Sequence, residues 1–434
     1  MPRRVLLFFT AVLLGCAAFA GTASAASHHR TVKHARVCHR TVRVRTRHGK
    51  MVRRRVVVRC ARTAPAKSAR RLAVATSAPK SGSKSGSKSA RSINGALIVG
   101  INANVSGWGD ASTQPRLAQV TSQTHTKWLR ETFRWDLIEP SPGQFDFAYY
   151  DHFMLLAAQA GEHILPVLYY TPSWAGATYD TIPSDPSAYA QYVAAVVGRY
   201  GTNGSFWKQY PTLSGSAIQT WELWNEPYYS TGDNGDYNPG NYARLVKAAD
   251  IAGRAADPNA KFLLASEMQS AQDANGNWQW WTDALYQAVP DLNNYFDGVA
   301  VHPYGTNTTT LNPEPAGQPY NNYDSMMRIQ DIHQQFINHG AADKPFWITE
   351  IGWSTCTTNP QCVTPAQQAT NLTNLFADLH GSWAKWVQAA FLYHYTDGAN
   401  PTGNIEDGYG LTTNTTTPKP ALTLFQTQAA LSAS

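Results

Sequence analysis

The sequence has no acidic residue in its first 92 positions and no long apolar run after residue 25. Without such a run, we expect no transmembrane segment in the rest of the chain. The first 92 residues hold 22 lysines and arginines, whereas residues 93–434 hold 14 basic and 29 acidic residues. The overall net charge of +7 is therefore the sum of a basic arm and an acidic body, which predicts two parts with different roles.

Cysteine is scarce, and the five cysteines lack the spacings that hold metal ions. None of them forms a Cys-x-x-Cys or a Cys/His zinc pattern, so we expect no metal site. Without Cys16, four remain as two local pairs, Cys38 with Cys60 and Cys356 with Cys362. An even number at short spacings suits an oxidising compartment and predicts two structural disulfides.

Residues 1–25 have the pattern of a secretion signal. Two arginines precede the apolar run Val5 to Leu14, and Ala23-Ser24-Ala25 supplies a small-residue cleavage site. We therefore predict a secreted, extracellular protein. The stretch Leu13-Leu14-Gly15-Cys16 also resembles a bacterial lipoprotein box, so the alternative is a protein anchored to lipid through Cys16.

Residues 26–62 form a basic segment, in much of which basic and apolar residues alternate with the period of a β-strand. A turn at Gly49 would place Cys38 opposite Cys60, which predicts a small disulfide-closed hairpin. Two interpretations of this arm stay open: attachment to an anionic cell surface or polymer, and a solvated spacer. Nucleic acid is not expected, because the arm lacks aromatic residues that stack on bases. Residues 63–92, rich in Lys, Ser and Gly, are predicted to be a disordered linker.

From residue 93 to residue 434, strand and helix signals alternate, which predicts a parallel α/β domain. Eight strands and eight helices fit a (β/α)8 TIM barrel. A doubly wound open sheet is the alternative, but no G-x-G-x-x-G or G-x-x-x-x-G-K-[ST] phosphate loop follows an early strand. The predicted strands are 96–102, 127–130, 163–169, 218–224, 261–265, 296–302, 346–350 and 386–395. The predicted helices are 114–124, 148–160, 187–200, 241–256, 280–288, 325–338, 366–380 and 420–432.

Polar side chains stand at the ends of these strands. The fourth strand runs into Trp221-Glu222-Leu223-Trp224-Asn225-Glu226-Pro227, and the seventh ends at Glu350. Because barrel strands end at one mouth, Glu226 and Glu350 would face each other across an aromatic cleft, as glycoside hydrolysis requires. Glu222 is interpreted as an interior hydrogen-bonding carboxylate. The other strand-end residues predicted to bind substrate are Arg130, Tyr169, Trp174, Asn225, His302, Tyr304 and Trp353.

The ordered set of motifs resembles the glycoside hydrolases of clan A, and families 39 and 5 in particular. The motifs that carry the resemblance are Trp128-Leu129-Arg130, the stretch 138–147, Asn225-Glu226-Pro227, Val301-His302-Pro303-Tyr304 and Thr349-Glu350-Ile351-Gly352-Trp353. The resemblance covers residues 93–434 and none of the arm. It implies a retaining (β/α)8 enzyme that needs no metal or organic cofactor. The family often ends its eighth strand with a Trp, where this sequence has Tyr393-His394-Tyr395.

The resemblance also implies a role for each strand-end residue. Glu226 would be the acid/base, with a pKa raised by aromatic burial and by the neighbouring Glu350. Glu350 would be the nucleophile, kept ionised by Arg130 and by the hydroxyl of Tyr304. Asn225 would hydrogen-bond the sugar 2-hydroxyl. The remaining positions are His302, in the same subsite, and the candidate stacking platforms Tyr169, Trp174, Tyr228 and Trp353.

Taken together, the residues predict a secreted retaining glycoside hydrolase that cuts within a β-linked polysaccharide by double displacement. A transglycosylase is one alternative, because it would use the same two glutamates and the same glycosyl-enzyme intermediate. A non-catalytic carbohydrate-binding protein, attached to a surface by its basic arm, is another. Of these three, the hydrolase and the transglycosylase would release or transfer sugar, and the binding protein would not.

Overall fold

A computed structural model describes residues 37–45, 51–59, 96–106, 110–229, 238–266, 270–272, 278–306, 308 and 325–432. The chain divides into two compact units, Met1–Ser85 and Gly86–Ser434, and each is described by itself. The predicted signal segment, Cys16 and the whole of the predicted linker lie outside the described residues, so these assignments stay predictions. Within the described residues, no helix is long and apolar enough to cross a membrane.

The first unit contains two antiparallel strands, β1 (Val37–Arg45) and β2 (Met51–Arg59). The alternation of basic and apolar residues accounts for this pairing, since β-branched valines favour the extended backbone. The register places Val58 opposite Cys38, whereas the turn predicted at Gly49 would place Cys60 there. Residues 46–50 and Cys60 lie outside the described residues, so the disulfide-closed hairpin stays a prediction.

The second unit is built on a closed barrel of eight parallel strands. The strands follow the chain order around the barrel, and the last pairs with the first. This closure confirms the predicted (β/α)8 fold and excludes the doubly wound open sheet. The barrel strands are β3 (Ile98–Asn102), β4 (Trp128–Arg134), β5 (His163–Tyr169), β6 (Thr220–Leu223), β7 (Lys261–Ala265), β10 (Gly298–Val301), β11 (Phe346–Ile351) and β12 (Val387–Tyr393).

Helices follow the strands at nearly the predicted positions. The predicted helices 148–160 and 187–200 have the bounds of the structure, and the other predicted helices differ by a few residues at their ends. A short antiparallel pair, β8 (Ser270–Gln272) and β9 (Trp278–Trp280), was not predicted. The helices are α1 (Asp110–Thr124), α2 (Trp135–Ile138), α3 (Ala148–Ala160), α4 (Ser187–Tyr200), α5 (Pro239–Ala256), α6 (Trp281–Ala288), α7 (Ile329–Asn338), α8 (Pro365–His380) and α9 (Pro420–Ala429).

Local sequence signals fix several of these helix ends. Thr364 caps α8 by accepting a hydrogen bond from the Gln367 backbone N–H at 3.1 Å, and Pro365 occupies the first helical position. This combination satisfies a free backbone N–H where the missing N–H of proline costs nothing. At the other end of a helix, α3 stops at Gly161, whose φ of 72° favours a residue without Cβ.

Apolar side chains fill the barrel near the starts of its strands. This inner cluster consists of Ile98, Leu165, Leu263, Ala300, Trp347, Ala389 and Phe391. A larger apolar core lies between the strands and the surrounding helices. Because the inner cluster closes the amino-terminal end, polar side chains collect at the carboxyl-terminal mouth, where barrel enzymes place their chemistry.

A disulfide joins Cys356 and Cys362 in the loop after β11, as the sequence predicts. Cys356 is buried, and the loop also bonds to the segment after β12 through Thr357 N–H and the Thr402 carbonyl at 3.0 Å. The disulfide therefore stabilises a loop that flanks the carboxyl-terminal mouth, by restricting the unfolded chain.

Candidate active site

The two glutamates predicted to be catalytic meet at the carboxyl-terminal mouth of the barrel. Glu350 lies within β11, and Glu226 follows β6 by three residues. One carboxylate oxygen of each lies within 4.8 Å of the other. This separation resembles the about 5–5.5 Å of retaining glycosidases and is well below the about 6.5–9.5 Å of inverting ones.

The backbone around Glu226 adopts an uncommon conformation. Trp224 and Glu226 have φ angles of 74° and 44°, in the left-handed region that residues with a Cβ rarely occupy. Pro227 begins a short 3-10 turn directly afterwards. Such conformations persist where the surrounding structure enforces them and are common at functional sites.

Both oxygens of the Glu350 carboxylate accept hydrogen bonds from the predicted partners. Arg130 Nη1 donates to Oε1 at 2.5 Å, and the Tyr304 hydroxyl donates to Oε2 at 3.0 Å. The Glu350 side chain is 13% exposed. A charge-assisted hydrogen bond and a hydroxyl donor thus fix the orientation of this carboxylate.

Arg130 is buried and holds several acceptors in fixed positions. Its Nε and Nη2 bond both oxygens of Glu222, at 2.7 and 3.0 Å, in a bidentate ion pair. It also donates to the side-chain oxygens of Asn102 and Asn225, each at 2.9 Å. Burial alone would raise the pKa of Glu222, but Arg130 and His302 outweigh burial and lower that pKa to about 2. Glu222 is thus the interior hydrogen-bonding carboxylate that the sequence suggests.

His302 lies between the two candidate catalytic glutamates. Its Nδ1 is 2.9 Å from Glu226 Oε1 and 3.7 Å from Glu350 Oε2, and its Nε2 is 3.0 Å from the Thr349 hydroxyl. Burial favours the neutral ring, but the carboxylates of Glu350, Glu222 and Glu226 raise the pKa of His302 to about 10. Their attraction also outweighs repulsion from Arg130, whose Nη2 is 3.5 Å from Nε2.

The electrostatics of Glu226 differ from the sequence-based expectation. Burial raises the pKa of Glu226, as expected, but hydrogen bonding and charge from His302 lower it below its usual value. The Tyr228 hydroxyl, which donates to Oε1 at 3.1 Å, acts in the same direction. The expected raised pKa is therefore wrong for the free site. In the free site, His302 thus favours the ionised form of Glu226.

A cleft of about 690 Å³ opens beside these residues. This volume lies within the usual range for ligand sites. Its lining combines residues of the catalytic centre with residues of the surrounding loops. The lining includes Asn102, Asn104, Arg116, Arg130, Glu131, Tyr169, Tyr170, Asn225, Glu350, Tyr393, His394, Asp397, Glu406 and Asp407.

Of the predicted stacking residues, only Tyr169 lines this cleft. The indole N–H of Trp174 donates to the Glu139 carbonyl at 3.0 Å, and its ring packs edge-on against Trp135. Trp353 is 3% exposed and donates to the Gly305 carbonyl at 2.7 Å. Tyr228 is buried as well. None of these three residues belongs to the cleft lining, although Trp174 is partly exposed. Their role as stacking platforms stays a prediction.

Several cleft residues were not predicted as substrate contacts. Tyr393 ends β12 at the position where the resembling family often has a Trp, and it packs edge-on against Tyr304 and Tyr409. Its strand-end position is a signal that could have identified it. Tyr170 follows β5 directly and offers the same signal. Glu406 stands in a loop after β12 without any motif, so nothing in the sequence singled it out.

Comparison with known proteins places this site in a recognised family of sequences. The model of the family described as glycosyl hydrolases family 39 matches residues 191–434. The matched region contains Asn225, Glu226, His302, Tyr304 and Glu350. No curated protein sequence matches the chain.

Solved structures with the same fold include three bacterial enzymes. A family 39 glycoside hydrolase from Bacteroides cellulosilyticus WH2 is 20% identical with a TM-score of 0.55, over 78% of this chain and 63% of that one. A GH39 β-xylosidase from Caulobacter crescentus is 16% identical with a TM-score of 0.56, over 80% and 74%. An exo-β-1,4-mannosidase from Opitutaceae bacterium strain TAV5 is 16% identical with a TM-score of 0.52, over 78% and 60%. At these identities the likeness is one of fold.

Proposed function

Because the chain belongs to glycosyl hydrolase family 39, it is a glycoside hydrolase, and we propose that it cleaves within a β-linked polysaccharide with retention of configuration. The observation that carries the proposal is the short separation of Glu226 and Glu350: one carboxylate oxygen of each lies within 4.8 Å of the other. At that spacing the second carboxylate reaches the anomeric carbon itself, and no room is left for an intervening water.

In the proposed first step, a Glu350 oxygen attacks the anomeric carbon while the bond to the leaving-group oxygen breaks. Glu226 gives that oxygen its proton, so the leaving sugar departs as a neutral alcohol and a glycosyl ester of Glu350 remains. In the second step, water attacks the same carbon, Glu226 takes the water proton, and the Glu350 ester bond breaks. Because His302 Nδ1 lies 2.9 Å from Glu226 Oε1, His302 is the group placed to pass a proton to Glu226 before the first step.

Asn225 is positioned to bind the reacting sugar. Its side-chain oxygen accepts the hydrogen bond from Arg130 Nη2 at 2.9 Å, so the amide NH2 is left to donate elsewhere. Asn225 lines the cleft beside Glu350. We assign this NH2 to the 2-hydroxyl of the sugar, a contact that strengthens in the oxocarbenium-like transition state.

The experiment is a hydrolysis screen of the full chain on β-glucans, xylans, mannans and galactans. The full-length Glu350→Gln variant is the blank, because it keeps the shape of the site and removes the nucleophile. We expect wild-type activity on at least one polymer and at least about a thousandfold loss in the blank. An equally active Glu350→Gln protein would refute the nucleophile assignment, and chromatography of products longer than the starting oligosaccharide would reveal transglycosylation.

We also propose that the enzyme is secreted and that its arm attaches to an anionic polymer or cell surface. The register of β1 and β2 supports the second part. The register pairs Arg43 with Arg53 across the two strands. The strands together carry seven arginines and no acidic residue. A cationic ribbon suits a repeating anionic partner.

A further inference from the structure

Glu406 is a carboxylate in the cleft that the proposed chemistry does not use. It begins a short 3-10 turn, Glu406–Gly408, in the loop after β12. It lines the same cleft as Glu350 and Asn225, and its side chain is exposed. Its carboxylate accepts no hydrogen bond from any of the residues that the structure describes.

Glu406 also lies close to the catalytic centre. Burial, followed by the charges of Glu226, Glu350 and Asp407, raises the pKa of Glu406. A carboxylate without a protein donor is open to accept hydrogen bonds from a ligand. Sugar hydroxyl groups are donors of this kind.

The loop that carries Glu406 is fixed by a buried ion pair. Lys419 Nζ bonds Asp397 Oδ1 at 2.7 Å, and both side chains are less than a tenth exposed. Lys419 also bonds the Thr355 hydroxyl at 2.8 Å, in the loop after β11. Asp407, next to Glu406, accepts from the Asn400 N–H at 3.0 Å. Glu406 is therefore held in the cleft by anchored backbone on both sides.

The lining of the cleft is rich in carboxylates. Arg130 is paired with Glu222 and Glu350. Besides the arginines Arg116 and Arg130, the described lining holds five carboxylates: Glu131, Glu350, Asp397, Glu406 and Asp407. A negatively charged sugar unit beside Glu406 would therefore meet net repulsion from the lining.

We propose that Glu406 determines specificity: it accepts hydrogen bonds from an uncharged sugar unit near the reacting one and excludes units that carry a carboxylate. This inference rests on the proposed function for the position of the reacting sugar. It predicts that neutral polysaccharides are substrates and that their uronate-containing counterparts are not.

The test compares two hexasaccharides with the same β-1,4-glucan backbone: cellohexaose, and the hexamer whose 6-hydroxymethyl groups are oxidised to carboxylates. Their binding is measured by calorimetry at low salt and neutral pH. The protein is the full-length Glu350→Gln variant, which cannot turn them over. We expect cellohexaose to bind about tenfold or more tightly than the anionic hexamer, since like charges in a cleft repel strongly.

Adding Glu406→Gln should reduce this ratio at least about threefold, chiefly by improving binding of the anionic hexamer. The matched control adds Asp343→Asn instead, which removes an exposed carboxylate in the loop before β11 at the opposite end of the barrel, and should leave the ratio unchanged. A ratio that survives Glu406→Gln would overturn the proposal, as would failure to bind cellohexaose. Because binding needs no turnover, this result is independent of the hydrolysis screen that tests the nucleophile.

Discussion

At the scale of single residues, His302 is the group whose charge depends most on its neighbours. It contacts Glu226 directly and lies 3.7 Å from Glu350. Its pKa rises from 6.5 to about 10 because these carboxylates and Glu222 outweigh burial. A histidine that gains a proton in the folded state links folding to pH.

We predict that His302→Asn destabilises the protein by an amount that depends on pH. The stabilisation from protonated His302 is fully present below pH 6.5 and is lost as the pH rises through about 10. The pKa shift corresponds to a contribution to the free energy of unfolding on the order of 5 kcal/mol. Urea denaturation of both proteins at several pH values between 6 and 10 would measure the difference.

The control for this prediction is His152→Asn, which removes an exposed histidine on α3. It should unfold like the wild-type protein across the same range. A constant difference between wild type and His302→Asn from pH 6 to pH 10 would show that His302 stabilises the fold by packing and not through its charge.

The sequence alone identified most of the central residues at this scale. Glu226 and Glu350 could be predicted because each ends an apolar strand, and parallel barrel strands end at one mouth. The pKa of Glu226 could not, because it depends on which His302 nitrogen faces it and at what distance. Trp174 and Trp353 were expected to stack on sugar, but a strand-end position does not reveal whether a ring face is already covered.

At the scale of elements, the ends of β11 and β12 touch where the site is built. Gly352 follows β11 directly, and a Cβ built on it would lie 2.0 Å from the backbone oxygen of Tyr393. Tyr393 ends β12 and lines the cleft. The glycine is required because two backbones approach closely, and its φ is not in the left-handed region.

We therefore predict that Gly352→Ala separates these strand ends, destabilises the protein by about 1–3 kcal/mol and lowers activity. Thermal unfolding and the hydrolysis assay would measure the two effects. Gly215→Ala is the matched control, since a Cβ there meets nothing within 4 Å. If the two variants unfold alike, the close approach of the two backbones does not constrain the site.

Periodicity and turn residues were enough to place the regular elements. The predicted α3, 148–160, ends where Gly161 adopts a left-handed φ. The pair β8 and β9 was missed because three-residue strands carry no detectable period. The position of Glu406 depends on the buried Lys419–Asp397 pair, a contact between residues that no local pattern connects.

At the scale of the whole molecule, charge is divided between the two units. The basic residues of β1 and β2 belong to the first unit, and every acidic residue lies after position 92. An acidic cleft that excludes carboxylated sugars and an arm that binds anionic polymers would recognise different materials. The polymer that retains the enzyme would then not be the polymer that it cuts.

We predict that the placement of the arginines along the two strands, and not the arm's net charge alone, gives retention on an anionic polymer. Arg43 is paired with Arg53 across the strands, whereas Arg40 is paired with Val56 and Arg54 with Val42. The double variant Arg43→Gln/Arg53→Gln should elute from a polyuronate column at lower salt than Arg40→Gln/Arg54→Gln, with unchanged hydrolysis of soluble substrate. Equal elution of the two would mean that net charge alone governs binding.

The shared grip of Arg130 on Glu222 and Glu350 has a consequence for the whole reaction cycle. When Glu350 becomes an ester it loses its negative charge. If Glu350 were the sole partner of Arg130, the buried arginine would then be left without a counterion. Glu222 remains, so Arg130 stays neutralised in the intermediate. The charge lost by Glu350 reappears on Glu226 as it gives up its proton, beside His302. Arg130 and His302 thus each keep a negatively charged neighbour through the cycle. Neither side chain has to move between turnovers.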